Sequence, residues 1–269
     1  MTIRALVRLV RHGLVLSAAV LVLSGCDVMV GMGGLGGKEV ARDQWTKTYP
    51  LPAGGQLEIV NVSGAIHAEA AEGAQVDIVA ERSARATTME AAKELLERIE
   101  IREDTSGGGV RVSVKPPSGL GGGQTAVEFR VKVPRTASVR LVNTNGKITV
   151  IGVQGAVRAE VSNGGVIGRG LGGPVDASST NGNVSLDIDT VPADAIRLGT
   201  TNGGVQLTLP ASAKADLRAS CVNGGVSVTN LTLEHRAEKS RRHVDARLNG
   251  GGPRIDLGTT NGGIKITGK

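Results

Sequence analysis

The sequence predicts an all-β fold: a β-solenoid or β-helix-like repeat with Asn-Gly corners, plus one short helix in its N-terminal part. Asn-Gly pairs recur at nearly constant spacing, and aliphatic residues alternate with a period of two on both sides of each pair. The composition agrees, because the chain of 269 residues has 40 glycines but only one Trp, one Tyr and one Phe. A conventional compact enzyme of this size would bury several large rings. A thin, regular stack of aliphatic side chains is expected instead.

Each repeat unit is interpreted as a strand, a corner and a second strand. Around Asn163, for example, Val157 and Ala159 precede the corner and Val166 follows it, and the first five pairs are spaced by 18, 18, 21 and 21 residues. Because Asn and Gly both tolerate the left-handed backbone conformation, each pair is expected to form a tight corner. The predicted corner residues are Asn145, Gly146, Asn163, Gly164, Asn181, Gly182, Asn202, Gly203, Asn223, Gly224, Asn261 and Gly262.

Two packings satisfy this pattern. The units could form stacked hairpins with type I′ turns, or a β-solenoid whose corners align. The near-constant period and the small inward-facing residues favour the solenoid. A further copy between Leu57 and Ala68, with Ser63 in place of the Asn, would extend the stack upstream. We expect the repeat domain to cover residues 47–269.

The N-terminal part of this domain contains the helix. Thr87 and Glu90 are spaced as in a capping box, and the apolar residues that follow predict a helix over about 88–100. Strands are expected at 109–115 and 126–134, and together with the helix they would cover the N-terminal end of the stack. A second irregular segment, 234–247, is interpreted as a solvated insertion before the last copy.

The first 25 residues have the layout of a signal peptide. Arg4, Arg8 and Arg11 precede an apolar run from Leu14 to Leu23, which is too short to span a bilayer. Residues 1–25 are therefore predicted to be an export signal.

The residues that follow predict a lipid anchor. The segment Leu23 to Cys26 (Leu-Ser-Gly-Cys) resembles the bacterial lipobox, which implies that Cys26 is lipidated and becomes the mature N-terminus. Residues 26–46 would then comprise the lipidated Cys and a flexible tether. Asp27 resembles an inner-membrane retention signal of enteric bacteria. We expect a membrane-anchored lipoprotein of the cell envelope, periplasmic or on the outer surface.

The closing segment carries a more specific likeness. Residues 249–264 (Asn-Gly-Gly-Gly-Pro-Arg-Ile-Asp-Leu-Gly-Thr-Thr-Asn-Gly-Gly-Ile) and the repeated Thr-Asn-Gly corners resemble the bacterial putative-adhesin family, a β-strand repeat domain of unknown function. The resemblance covers roughly residues 50–269. It implies a surface or envelope module, and it supplies no catalytic residues.

Catalytic, metal and cofactor sites are not expected. The four histidines lack the spacing of metal ligands, and Cys221 falls at an inward-facing position, where we expect it to be buried. The rival interpretation is an envelope polysaccharide-active enzyme on a β-helix scaffold. Such an enzyme would usually show clustered carboxylates on one outward face, whereas these positions hold mostly Gly, Ser, Thr and Arg.

One outward row suggests a ligand. The residue five before each corner is Glu58, Arg140, Arg158, Asp176, Arg197, Arg218 or Asp256, so a solenoid would align the four arginines and an Asp in one stripe. Arginine suits carboxylate and phosphate groups, so an anionic glycan, a lipid or an envelope protein is a candidate partner. A merely solvated face is the alternative. Nucleic acid is disfavoured because stacking aromatics are missing. The expected function is binding or scaffolding at the envelope, and the oligomeric state is left open.

Overall fold

The computed structural model describes residues 38–119 and 121–269. The predicted signal peptide, Cys26 and most of the predicted tether lie outside these residues. Residues 39–46, which the sequence assigned to the tether, instead form part of the first strand, β1 (Glu39–Pro50). The reason is pairing, because β1 is bonded antiparallel along its whole length to β4 (Gln75–Ala86). The predicted tether therefore extends no further than residue 38.

Two long sheets face each other in the described part of the chain, and we name them sheet A and sheet B. In spatial order, sheet A contains β1, β4, β7 (Gln124–Pro134), β3 (Ile66–Ala71), β9 (Ile148–Ile151), β11 (Val166–Arg169), β13 (Val184–Asp187), β15 (Val205–Leu209), β21 (Ile264–Gly268) and β17 (Val226–Thr229).

Sheet B is similarly long. In spatial order it contains β18 (Leu233–Lys239), β19 (His243–Leu248), β16 (Ala215–Asn223), β20 (Arg254–Asn261), β14 (Ile196–Asn202), β12 (Val175–Asn181), β10 (Val157–Asn163), β8 (Ser138–Asn145), β2 (Gln56–Ser63), β6 (Val110–Lys115) and β5 (Glu100–Asp104).

The repeat units form parallel rungs of a β-solenoid-like stack. In each unit the strand before the Asn lies in sheet B and the strand after the Gly lies in sheet A, so the two strands do not pair as a hairpin would. Neighbouring rungs pair in parallel and in register, as Asn163 with Asn181 and Val166 with Val184 show. This register places equivalent side chains in straight rows along the stack.

Small aliphatic side chains fill the space between the sheets. Ile196, Leu198, Val205 and Leu207 of one rung are all buried, and the equivalent positions of the other rungs are occupied by similar residues. Burial of one such side chain contributes about 1.5–3 kcal/mol. The core is therefore built from many equivalent small contributions.

The order of the rungs differs from their order along the chain. The last strand pair, β20 and β21, lies between the rung of β14 and β15 and the rung of β16 and β17. The sequence pattern identified the units but contained no information on this insertion.

The N-terminal end is covered by a helix and by antiparallel strands. Helix α1 (Met89–Glu97) packs against β4 and β1. Its N-cap is Thr88, whose Oγ1 accepts a hydrogen bond from the amide of Ala91 at 3.2 Å, so the helix begins one residue later than predicted and ends at Glu97 instead of residue 100. Strands β6 and β7 occupy the positions expected for them.

The C-terminal segment 234–247 is not a solvated insertion. It contributes to the antiparallel hairpin of β18 and β19, which extends sheet B beyond β16. Val244, Ala246 and Leu248 alternate along β19 and are all buried. The charged residues between them had concealed this period of two.

Candidate functional site

The corners of the stack are joined by a ladder of asparagine side chains. Each Nδ2 donates to the Oδ1 of the Asn in the adjacent rung, for example from Asn202 to Asn181 at 2.8 Å and from Asn261 to Asn202 at 2.7 Å. In spatial order the ladder is Asn145, Asn163, Asn181, Asn202, Asn261 and Asn223. Such ladders are a known feature of in-register parallel stacks.

The glycine of each Asn-Gly pair allows the backbones of neighbouring rungs to approach closely. The Cβ of an alanine at position 182 would lie 2.0 Å from the carbonyl oxygen of Gly164, and at position 203 it would lie 2.1 Å from that of Gly182. The backbone of each rung therefore passes too close to its neighbour for a side chain. The Asn residues do not adopt the left-handed conformation that the sequence predicted, since the only non-glycine residues with positive φ in the described chain are Asn230 and Asn249.

Short polar side chains support the corners from inside. The hydroxyl groups of Ser179, Thr200 and Thr259 donate to glycine carbonyl oxygens of an adjacent rung at 2.8, 2.8 and 2.9 Å. Cys221 occupies the equivalent position in the terminal rung and is buried, as expected. Because Cys221 lies in this inward-facing row, we interpret it as a structural residue.

The four predicted arginines lie in one row on the outer face of sheet B, but acids are interleaved with them. We call this the charged row, and its members are paired in register from strand to strand. In spatial order they are Asp104, Arg111, Glu58, Arg140, Arg158, Asp176, Arg197, Asp256, Arg218 and Asp245. Five positive and five negative side chains therefore share the row.

The rung order produces this alternation. Arg197 and Arg218 are neighbours in the sequence repeat, but the inserted strand β20 places Asp256 between them. The sequence pattern alone assigned them to adjacent rungs. Among the ten residues of the row named above, Arg140 and Arg158 are the one pair of like charges that lie side by side.

Glu160 compensates this pair. Its Oε1 lies 2.6 Å from Nε of Arg158 and 3.5 Å from a guanidinium nitrogen of Arg140, while Glu58 accepts from Arg140 at 2.8 Å. The hydrogen bond from Arg158 holds the pKa of the Glu160 carboxyl below its usual range, and the same bond raises the pKa of Arg158. Both groups therefore stay charged around neutral pH.

A shallow open groove runs across the strands beside the charged row. Its volume is about 640 Å³. Its floor has small or short side chains because Ser178, Gly199, Gly258 and Ser220 occupy the row next to the charges. From β10 to β16 the groove crosses four strand spacings, about 19 Å.

Exposed hydroxyl groups form the other side of this groove. They precede the corner asparagines by one residue and belong to Ser162, Thr180, Thr201 and Thr260. In the terminal rung this position holds Val222, which is 58% exposed and is the only large hydrophobic residue exposed in the described chain. The groove thus presents aligned hydroxyl groups. The charged row lies on one side of it and the asparagine ladder on the other.

Two further observations concern the described residues alone. Residues 38–119 and 121–269 contain no group of three or more His, Cys, Asp or Glu side chains arranged to hold a metal ion. Within the same ranges, no helix combines the length and the apolar character that crossing a membrane requires.

The repeat has the sequence and the architecture of a known family. The model of the Toastrack DUF4097 family matches residues 53–267, which is most of the chain. The chain belongs to this family. The match confirms the resemblance to an adhesin-like repeat domain of unknown function, and it covers the described chain except residues 38–52, which include β1, and the last two residues. No curated protein matches the sequence.

Solved structures from several bacteria are similar to this chain at low sequence identity. A putative cell adhesion protein from Clostridium sporogenes is 13% identical, with a TM-score of 0.44, and the alignment covers 84% of this chain and 100% of that one. A putative adhesin from Bacteroides fragilis is 10% identical, with a TM-score of 0.38 and coverage of 84% and 97%. A putative lipid binding protein from Parabacteroides distasonis is 10% identical, with a TM-score of 0.28 and the same coverage.

Proposed function

We propose that this chain is a lipid-anchored protein of the bacterial envelope whose Toastrack domain binds or scaffolds an envelope component without catalysis. The proposed anchor is Cys26, and the lipobox and the short apolar run before it support this part. The observation that carries the binding part is the groove on sheet B, where exposed hydroxyl groups from β10 to β20 lie in register over three strand spacings, about 14 Å. A repeated surface of this kind suits an extended partner that lies along the stack.

The position of the anchor supports an orientation for this surface. Twelve residues, 27–38, separate Cys26 from the start of β1 at Glu39, and twelve residues reach at most about 40 Å. The end of the stack that carries α1 would therefore stay within about 40 Å of the membrane. The groove lies further along the stack from this tethered end, where an envelope polymer or protein can reach it.

The state of the outward carboxylates supports a non-catalytic role. A glycosidase needs two carboxyl groups free to act on either side of a sugar bond. Here Glu58 accepts from Arg140, Glu160 accepts from Arg158, and Asp256 lies 2.7 Å from Nε of Arg254. These contacts hold the acids as counter-ions of the arginines, so we favour binding over the polysaccharide-active alternative.

The charged row bears on the class of ligand. An anionic glycan or lipid on Arg140, Arg158, Arg197 and Arg218 is the earlier hypothesis, but Asp176 and Asp256 alternate with these residues. A carboxylate beside each guanidinium would repel a polyanion lying along the row. We therefore propose a largely neutral polar partner. Capture that weakens steeply as salt rises would instead support the anionic ligand, since exposed charges are screened by salt.

The anchor is tested by cell fractionation with one variant and one control. Cys26→Ser should move the protein from the detergent phase to the aqueous phase, because the acylated residue is gone. Cys221→Ser removes the other, buried thiol and should leave the protein in the detergent phase. If Cys26→Ser stays in the detergent phase, the proposed anchor is wrong.

The groove is tested by crosslinking in intact envelopes followed by purification of the protein with its partners. A Cβ at Gly199 or Gly258 would meet no atom within 4 Å, so the double variant Gly199→Gln, Gly258→Gln should fold and fill the groove. Capture of the partner should fall. The control Ser185→Gln places the same side chain on the outer face of sheet A. Equal capture by both variants would exclude the groove as the binding surface.

A further inference from the structure

The strand pair β20 and β21 fills a slot inside the stack. Strand β20 is bonded in parallel to β14 on one side and β16 on the other, and β21 is bonded likewise to β15 and β17. After Leu209 the chain passes to β16 and leaves a space one strand wide in each sheet. The flanking strands are therefore two strand spacings apart, about 9.6 Å.

Both rims of this slot present backbone groups that only an inserted rung can pair. On one rim the amide nitrogens of Gly203 and Val205 donate to carbonyl oxygens of the inserted rung at 2.9 and 3.0 Å. On the other rim, Asn223 O accepts from the amide of Gly262 at 2.9 Å. An empty slot would expose two parallel strand edges in each sheet, and exposed edges are templates for pairing with another chain.

The side chains around the slot are specific for this rung. Asn261 continues the corner ladder on both sides, bonded to Asn202 at 2.7 Å and to Asn223 at 2.8 Å. Asp256 lies in register between Arg197 and Arg218. At the far end, Nζ of Lys269 contacts carboxylate oxygens of two acids, Asp187 at 2.6 Å and Asp189 at 2.8 Å.

One short loop connects the inserted rung to the rest of the chain. It runs from Asn249 to Pro253, between β19 and β20, and must pass over β16 because these two strands lie on opposite sides of it. Asn249, Gly250 and Gly251 have positive φ values of 45°, 91° and 86°. This loop is the segment whose backbone would have to change conformation if the rung left the slot, and its glycines can adopt many conformations.

We propose that the slot is an interaction site for a second copy of this chain, and that two chains exchange their C-terminal strand pairs to form a domain-swapped dimer. Every contact of the inserted rung is kept in such a dimer, because the rung of the second copy has the same sequence. Exchange of an identical element is a low-cost route to a dimer. The proposal does not depend on the groove or on the lipid anchor.

A disulfide can report which chain fills the slot. Cys221 on β16 lies in register beside Thr259 on β20, and parallel neighbours about 4.8 Å apart are within the Cα range of a disulfide. The chain carries Cys26→Ser and Thr259→Cys, is unfolded under reducing conditions, refolded over a range of concentrations, and then oxidised. If each chain fills its own slot, oxidation gives a monomer with an internal disulfide. If two chains exchange their strand pairs, oxidation gives a disulfide-linked dimer.

The expected result is a crosslinked dimer whose ratio to the monomer rises with chain concentration, together with a dimeric mass by light scattering. Crosslinked monomer at every concentration would overturn the proposal. So would a dimer by mass whose disulfides are all within one chain, because that dimer would use another surface.

The connecting loop gives a second, independent measurement. Deleting residues 250–252 leaves three Cα–Cα steps, about 11 Å, to cross about 9.6 Å over β16, so folding back becomes strained. The crosslinked dimer should then increase several-fold at equal concentration. Deletion of residues 121–123, three glycines from another loop, is the matched control. An equal dimer fraction in both deletions would contradict the exchange.

Discussion

The N-terminal end and the repeat stack are held together in different ways. At the N-terminal end, Phe129 is the largest fully buried side chain of the described chain, and Arg82 forms an ion pair with Asp43 across β4 and β1. In the stack, the buried side chains are small and equivalent, and the specific contacts are the corner ladders repeated in each rung. One region depends on a few large contributions and the other on many similar ones.

This difference indicates how each region responds to change. A stack with in-register rungs gains stability from nearest-neighbour contacts, so a defect that separates two rungs affects both sides of it. The N-terminal end contains no repeated units, so no equivalent side chain can compensate for the stability lost when its largest buried side chain is removed. Substitutions in the two regions should therefore differ in size and in physical cause.

The largest effect is expected at the N-terminal end, for Phe129→Ala. Removal of this ring leaves a cavity between β7 and its neighbours, and such truncations cost about 3–5 kcal/mol. The comparison variant is Ile196→Val in the stack, which removes one methyl group from a buried rung position and should cost about 0.5–1.5 kcal/mol. Urea unfolding measures both. Equal costs would mean that the end is no more dependent on one side chain than the stack is.

The next effect is expected at a corner of the stack, for Gly182→Ala. The new Cβ would lie 2.0 Å from the carbonyl oxygen of Gly164, so the two rungs must separate, at a cost of about 1–3 kcal/mol. The control is Gly199→Ala in β14 of the adjacent rung, where a Cβ meets nothing within 4 Å. The control should be neutral or slightly stabilising. A stable Gly182→Ala variant would show that close approach of the rungs is not required.

The sequence predicted the stack better than its ends for a physical reason. Equivalent aliphatic positions around Asn163 and Asn181 repeat because each rung faces the same environment, and a repeated environment leaves a repeated pattern. The insertion of β20 beside β16 left no such signal, since the inward positions of every rung carry similar aliphatic residues, and any order of the rungs would bury them. The groove depends on that order, so Asp256 between Arg197 and Arg218 could not be predicted from the spacing.

The boundaries were missed where tertiary contacts decide them. Residues 39–46 have no turn or repeat signal, and they are a strand because β4 pairs with them. The sequence predicted the helix, but its N-cap is Thr88 instead of Thr87. Val244 and Ala246 were hidden among the charges of the hairpin formed by β18 and β19.

A third prediction concerns the corner asparagines. It distinguishes a role in the hydrogen-bonded ladder from a role in adopting a left-handed backbone conformation. Asn202 is the last residue of strand β14 and donates to Asn181 and accepts from Asn261. Loss of both exposed hydrogen bonds in Asn202→Val should cost about 1 kcal/mol. Asn202→Gly should cost more, because glycine in a strand adds about 0.5–1 kcal/mol of backbone entropy. The opposite order of melting temperatures would support a left-handed backbone at this residue.

The smallest effect is expected in the charged row, for Glu160→Gln. The bond from Arg158 lowers the pKa of Glu160 in the folded state. Its stabilising contribution is therefore present above the pKa of the unfolded chain and is lost as pH falls through the lower folded value. The side chain is 35% exposed, so solvent screening limits the contribution to about 0.5 kcal/mol.

The measurement is the difference in unfolding free energy between wild type and Glu160→Gln across the acidic range. Wild type should be slightly more stable at neutral pH, and the difference should vanish at low pH, where the carboxyl is protonated. Arg158→Gln removes the group that lowers this pKa, so it should flatten the same part of the pH profile. If the difference persists unchanged in acid, Glu160 stabilises the row by packing its side chain between the strands, and the repulsion between Arg140 and Arg158 is relieved by solvent instead.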